Sequence, residues 1–122
     1  MTPELLQFFS GQPEQVLALY LTLEAVLRNI LPAFDTRVQK SQITWQNRHV
    51  FGCVSIPRKA AHRPGLTVTF GLGRREADPR IAASVEPHPG RWTHHVLLRD
   101  PEDIDPQLLA WLAEAYMFAN EK

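Results

Sequence analysis

The 122 residues carry 13 Lys and Arg against 13 Asp and Glu, with five His, a single Cys and 44% apolar side chains. That length fits one domain, able to bury a core without disulfide or metal support. Cys53, standing alone, excludes a disulfide framework and a cysteine-based zinc site and suits a reducing compartment. The zero net charge conceals a segregation: residues 36–99 hold eleven cations, nine of them Arg, against three acids, a net of +8, while residues 1–35 net −3 and residues 100–122 net −5.

Thr2-Pro3-Glu4 opens a short helix over 3–9, with a capping hydroxyl, proline at the first helical position and an acid in the first turn. Ser10-Gly11 stops it. A second helix over 13–31 carries Val16, Leu19, Tyr20, Leu23, Val26, Leu27, Ile30 and Leu31 at spacings of three and four, one wide apolar stripe ended by Pro32. Thr22, Glu24, Arg28 and Asn29 interrupt that stretch, which falls short of the ~20 apolar residues of a membrane span. The start Met-Thr-Pro-Glu has no basic run and predicts no secretory signal, so the expected location is cytoplasmic.

From Thr36 the period changes to two, and strands are predicted within 36–98. The first covers 36–40. The second, 42–48, alternates Ile43 and Trp45 with Thr44 and Gln46. The third, 50–57, sets Val50, Gly52, Val54 and Ile56 on one side, after a tight connection at Asn47-Arg48-His49. Arg58 to Gly65 reads as a basic loop. Leu66, Val68, Phe70 and Leu72 alternate with Thr67, Thr69 and Gly71 in a half-buried antiparallel strand. Asp78-Pro79 looks like a cap and first helical position, predicting one helical turn before Val85. Pro87-His88-Pro89-Gly90 is turn chemistry leading to a fifth strand over 92–98. Asp105-Pro106 caps a last helix over 106–120, with Leu108, Leu109, Trp111, Leu112, Ala115, Tyr116 and Ala119 on its apolar side. The order predicts a single α+β domain, 1–122: a two-layer sandwich with about five antiparallel strands and both terminal helices on one face. The other sheet face is left for solvent or a partner, lined by Lys40, Gln42, Thr44, Gln46, Thr67, Thr69 and His95.

Candidate chemistry concentrates in two runs. The most distinctive is His88-Pro89-Gly90-Arg91-Trp92-Thr93-His94-His95, in which the adjacent histidines point to opposite strand faces, so only one can join any site. His94, on the apolar side, reads first as a core histidine with satisfied ring nitrogens. No HExxH, His-x-His or spaced carboxylate pair accompanies them, and no metal or cofactor is predicted. Gly71-Leu72-Gly73-Arg74-Arg75 ends a strand in a loop whose backbone N–H groups and guanidinium groups could hold an anion, although a plain turn is the simpler reading. Trp45 and Trp92 could stack a base or organic ligand, but alternating apolar positions favour the core. Cys53 on a strand is read as inert, since no nucleophilic triad spacing is present.

The chain also resembles a known family. Phe8-Phe9-Ser10-Gly11, Lys40-Ser41-Gln42-Ile43-Thr44-Trp45, Gly65-Leu66, Gly71-Leu72, Pro79-Arg80-Ile81, Arg91-Trp92-Thr93-His94-His95-Val96 and Trp111-Leu112 with Ala115-Tyr116 resemble the bacterial and archaeal domain of unknown function 5655. The likeness covers nearly the whole chain and implies no activity; members occur alone or appended to other domains, which is compatible with a recognition module. The element order is more distantly similar to frataxin-like small proteins, whose acidic ridge is reduced here to Glu14 and Glu24 on the long helix, so that likeness implies fold alone.

The resulting expectation is a non-enzymatic binding module that recognises an anionic ligand or protein partner through Lys40, Arg74, Arg75, Arg91 and His95, with Trp45 and Trp92 for stacking. The alternatives are a small enzyme using His94 or His95 beside Arg91, and an accessory nucleic-acid-binding domain, disfavoured because such domains carry a whole-domain positive excess. Against all three stands a plainer and weightier reading of the +8 segment, in which acidic helices neutralise a basic sheet within the fold. A homodimer through an open sheet edge or face is a further expectation.

Overall fold

The computed structural model describes residues 2–57 and 64–121. Helix α1 (Pro3–Phe8) starts where Thr2 Oγ1 accepts the Leu5 N–H at 3.2 Å, and the chain reverses at Gly11, whose φ of 84° suits a residue without Cβ. Helix α2 (Glu14–Ile30) buries Val16, Leu19, Tyr20, Leu23 and Leu27 of the predicted stripe, with Val26 half-buried. Ile30, at the end of that stripe, is instead 48% exposed.

Six strands follow: β1 (Asp35–Val38), β2 (Ile43–Gln46), β3 (Val50–Ser55), β4 (Leu66–Leu72), β5 (Ile81–His88) and β6 (Arg91–Leu98). They form one antiparallel sheet in the order β1-β2-β3-β4-β6-β5. A short 3-10 turn (Pro101–Asp103) leads to helix α3 (Pro106–Asn120). Asp105 caps α3 by accepting the Leu108 N–H at 2.9 Å. Both long helices cover one sheet face. The Tyr20 hydroxyl, which donates to Glu24 at 2.7 Å, accepts the Trp45 indole N–H at 3.4 Å and so ties α2 to β2. α3 lies over β3 and β4, and its Tyr116 hydroxyl donates to the Ala33 carbonyl at 3.0 Å. The architecture is therefore the two-layer α+β sandwich read from the sequence.

Three expectations need correction. The helical turn after Asp78-Pro79 is a β-turn, closed by the Ile81 N–H on the Asp78 carbonyl at 2.9 Å, with the Asp78 carboxylate accepting the Arg80 N–H. The chain then runs into β5, a sixth strand. A side chain that hydrogen-bonds its own turn competes with helix initiation, and here the turn wins. In β3, the inward residue is Phe51 and not Val50, which is 54% exposed. A register shift at Trp45/Gln46 pairs Gln46 with Val50 and Trp45 with Gly52, turning the first residues of β3 over. Trp45 itself is fully enclosed, packed on Phe51 at a centroid distance of 6.1 Å, and is removed as a stacking surface. The basic loop read over 58–65 falls largely on residues 58–63, outside the described residues.

Gly65, just before β4, and Gly71 within it differ in the room around them. A Cβ on Gly65 would collide with the Leu98 carbonyl oxygen, whereas one on Gly71 would meet nothing within 4 Å. Gly65→Ala is expected to destabilise by roughly 1–3 kcal/mol through forced backbone displacement, and Gly71→Ala to stabilise by roughly 0.5 kcal/mol by stiffening the unfolded chain. Urea denaturation of both variants at unchanged m-value measures the difference.

Candidate functional site

The loop between β4 and β5 sets the position of two adjacent arginines. Arg74 turns towards α3: its Nε and Nη2 hold both carboxylate oxygens of Glu114 at 2.9 and 2.8 Å, and its Nη1 donates to Glu76 at 2.8 Å. Glu76 also accepts the Trp111 indole N–H at 3.2 Å. Arg74, then the Trp111 N–H, hold the Glu76 carboxyl below its ordinary pKa. Three of the five Arg74 N–H donors are engaged in this way, on a half-exposed side chain. Arg75, one residue on, lies with its guanidinium 5.8 Å from the centroid of the Trp92 ring, a cation–π distance. A guanidinium stacked on a ring keeps its in-plane N–H donors free for an anion.

Trp92 borders a small cleft of about 180 Å3 at the end of the sheet, between the β5–β6 hairpin and the C-terminal part of α3. Val50, Phe51, Phe118 and Ala119 give it apolar walls, and Pro87, His88, Arg91 and Thr93 complete it. The hairpin turn places His88 directly across from Arg91 in register, with Gly90 at φ 76° and its N–H held by the Glu86 carboxylate at 3.1 Å. Phe51 and Ala119 are buried beneath the cleft, Val50, His88 and Arg91 are exposed around it, and Arg75 reaches the Trp92 ring at its border.

Of the five residues expected to act together, Arg91 alone lines this cleft, and Arg75 reaches the Trp92 ring that borders it. Lys40 sits at the tip of the β1–β2 turn, beside Ser55 and Thr67, at the opposite end of the sheet. His95 lies on the face turned away from the helices, in a lateral row that runs Arg37, Thr44, Cys53, Thr69, His95 and Ala83. Its Nδ1 is 2.9 Å from the Thr69 hydroxyl. Burial pushes the Cys53 thiol pKa up, against the hydrogen bond with Thr69, which keeps it protonated. Thr44 on the same row is 4% exposed and bonded to Gln39 at 2.7 Å, so this face is only partly open.

His94 is a core side chain. It is fully enclosed and stacks on Phe70 at 5.4 Å, and Phe70 stacks in turn on Trp111 at 5.8 Å. Its Nε2 accepts the Glu76 backbone N–H at 2.9 Å, which requires an unprotonated nitrogen there, but its buried Nδ1 has no hydrogen-bond partner, so only one of the two ring nitrogens expected to be satisfied is. The histidine that stands across from Arg91 is His88, which opens the distinctive run but was given no role in the sequence reading beyond turn chemistry. A Pro-Gly hairpin turn is the signal that could have found it, since it fixes which residues face each other across the bend.

Among the described residues no group of three or more His, Cys, Asp or Glu is placed to hold a metal ion, and no helix is long and apolar enough to cross a membrane. The acidic helices neutralise part of the basic segment, through Arg74 with Glu114 and through Arg80, whose Nη1 reaches Asp105 at 2.7 Å. A family model described as domain of unknown function (DUF5655) matches residues 6–119. No curated protein and no solved structure matches, so the frataxin-like comparison has no structural support.

Burial lowers the pKa of His94 from its ordinary 6.5, so the unfolded chain takes up a proton there before the folded one does. Stability contributed by neutral His94 is present above that value and is lost as pH falls below it. Denaturant midpoints measured downward from pH 7 are expected to fall for the wild type, and to fall less steeply for His94→Gln, which keeps an acceptor for the Glu76 N–H but cannot titrate.

Proposed function

We propose a function from the premise that this chain belongs to the domain of unknown function 5655 family, a membership that brings no activity with it: the protein is a non-enzymatic binding module. It recognises an anionic group carried on a small apolar stem, and the cleft at the β5–β6 hairpin is the recognition site. The observation that carries this reading is the make-up of that cleft, with Phe51 and Ala119 buried, Phe118 half-buried, and Arg91 and His88 exposed among its lining residues. An apolar pocket with a few convergent polar groups is the ordinary form of a small-molecule site. At about 180 Å3 it is smaller than the ~300–1,000 Å3 of sites for drug-sized ligands, which favours a short carboxylate, a phosphomonoester or the terminal residue of a peptide over a nucleotide.

The enclosure of Trp45 and the commitment of Arg74 weigh against a nucleic-acid surface built on stacking. Affinity falling steeply with salt would speak for one. The catalytic alternative now has His88 beside Arg91 as its observation, and turnover of a bound compound is its test.

Gentle native mass spectrometry of the purified protein comes first, to retain any small molecule already bound. Short apolar carboxylates and phosphomonoesters are then titrated while the Trp92 indole and His88 ring resonances are followed. Losing a charge-assisted contact costs about 1.5–3 kcal/mol, so Arg91→Ala is expected to weaken binding by roughly ten- to a hundredfold, with a smaller loss for Arg75→Ala. Equal binding by both variants overturns the reading.

A further inference from the structure

Lys40 and Ser41 form the tip of the β1–β2 connection, which is closed by the Gln39 N–H on the Gln42 carbonyl at 2.8 Å. Behind the tip three side chains brace one another. Gln42 Nε2 donates to Gln39 Oε1 and to Thr44 Oγ1, each at 3.2 Å, and the Thr44 hydroxyl donates to Gln39 Oε1 at 2.7 Å. Such a network fixes where Lys40 and Ser41 stand before anything binds, and groups already held in place lose less freedom on binding. The tip borders a pocket of about 470 Å3 that Phe8, Ser55, Ile56, Pro57 and Thr67 complete.

Ser55 and Thr67 lie directly opposite each other on β3 and β4. Two residues along the same strands, the Thr69 hydroxyl is engaged by Cys53 and by His95, the latter at 2.9 Å. Ser55 and Thr67 make no such bond, although hydroxyls opposed across a ladder commonly pair. Among the described residues, the side chains of Lys40, Ser41, Ser55 and Thr67 have no hydrogen-bond or ion-pair partner, and no carboxylate lines the pocket. Glu4 borders only the adjoining hollow, which it shares with Phe8 and Lys40.

We propose that this pocket binds the phosphate of a small phosphomonoester, at a site separate from the hairpin cleft. One ammonium and three hydroxyls supply donors from several side chains, which suits the many acceptor oxygens of a phosphate better than the planar pair of a carboxylate. Lysine serves phosphates as a point charge and needs no planar partner. Half-buried Phe8, Ile56 and Pro57 offer apolar surface to the organic part of the ester, and the volume falls within the ~300–1,000 Å3 of small-molecule sites. Thr67 at this pocket and Gly71 at the hairpin cleft are separated by about 13 Å along β4, so one small ester does not engage both.

Phenyl phosphate titrated into the intact, isotope-labelled protein tests the site, with amide resonances followed residue by residue. The amides of Lys40, Ser41, Ser55 and Thr67 are expected to shift along one saturating curve. Lys40→Ala is expected to weaken that binding about tenfold or more, and Thr67→Val by about three- to tenfold. Arg91→Ala, at the other end of the sheet, is expected to leave it within about twofold. Benzoate, with the same ring and a planar anion, is expected to bind about fivefold more weakly or worse, and equal binding overturns the choice of phosphate. Inorganic phosphate is expected to bind several-fold more weakly for want of a group to set against Phe8 and Ile56, and equal affinity overturns the ester. Undiminished binding by Lys40→Ala overturns the site, as do shifts confined to His88, Arg91 and Trp92, which would instead support the hairpin cleft. Lys40 is exposed on a turn, so its variant decides even if Thr67→Val fails to fold.

Discussion

Glu76 is the joint on which the functional end of the molecule depends. Its backbone N–H fixes the tautomer of buried His94, while its carboxylate receives Arg74 from the loop and Trp111 from α3. One residue thereby connects the loop after β4, the centre of β6 and the helix layer. A buried ring nitrogen and a buried indole N–H both need partners, and leaving either unsatisfied costs about 1–3 kcal/mol. Arg74, half exposed, bridges Glu76 to Glu114 on α3, and the next side chain, Arg75, lies over Trp92.

That dependence explains what could and could not be read from the chain. The stripes of α2 and α3 and the alternation of β4 were legible, because burial on one face imposes a period and the period survives in the sequence. β5 was not. Its residues Ile81-Ala82-Ala83-Ser84-Val85-Glu86 have no bulky alternation, as an edge strand that buries almost nothing needs none, and Asp78-Pro79 carries the chemistry of a helix start. The slip from Val50 to Phe51 has a similar cause: a bulge adds one residue to the count, and side-chain facing inverts wherever the count changes.

The candidate site was legible in part and for a specific reason. Arg75 and Arg91 were marked by charge; Arg91 lines the cleft and Arg75 reaches the Trp92 ring beside it. Arg74 was marked by the same charge and is engaged by Glu76 and by Glu114, the latter 40 residues away in sequence, which no local pattern records. His94 and His95 drew attention as a pair, yet one stacks on Phe70 and the other bonds Thr69 on the far face of the sheet. His88, at the start of the same run, was read for its turn chemistry and lies across from Arg91.

The outermost position of β5 has a consequence for the behaviour of this cleft over time. β5 is bonded to a single neighbour and most of its residues are exposed, so it belongs to the part of the fold that opens at the lowest free energy. Its amide protons are expected to exchange with solvent sooner than those of β6, which is paired on both sides. Since His88 belongs to β5 and Arg91 to β6, each opening of the hairpin takes the rim of the cleft apart. A molecule held across those two residues would slow that exchange, acting as the outer fastening that the sheet edge otherwise lacks.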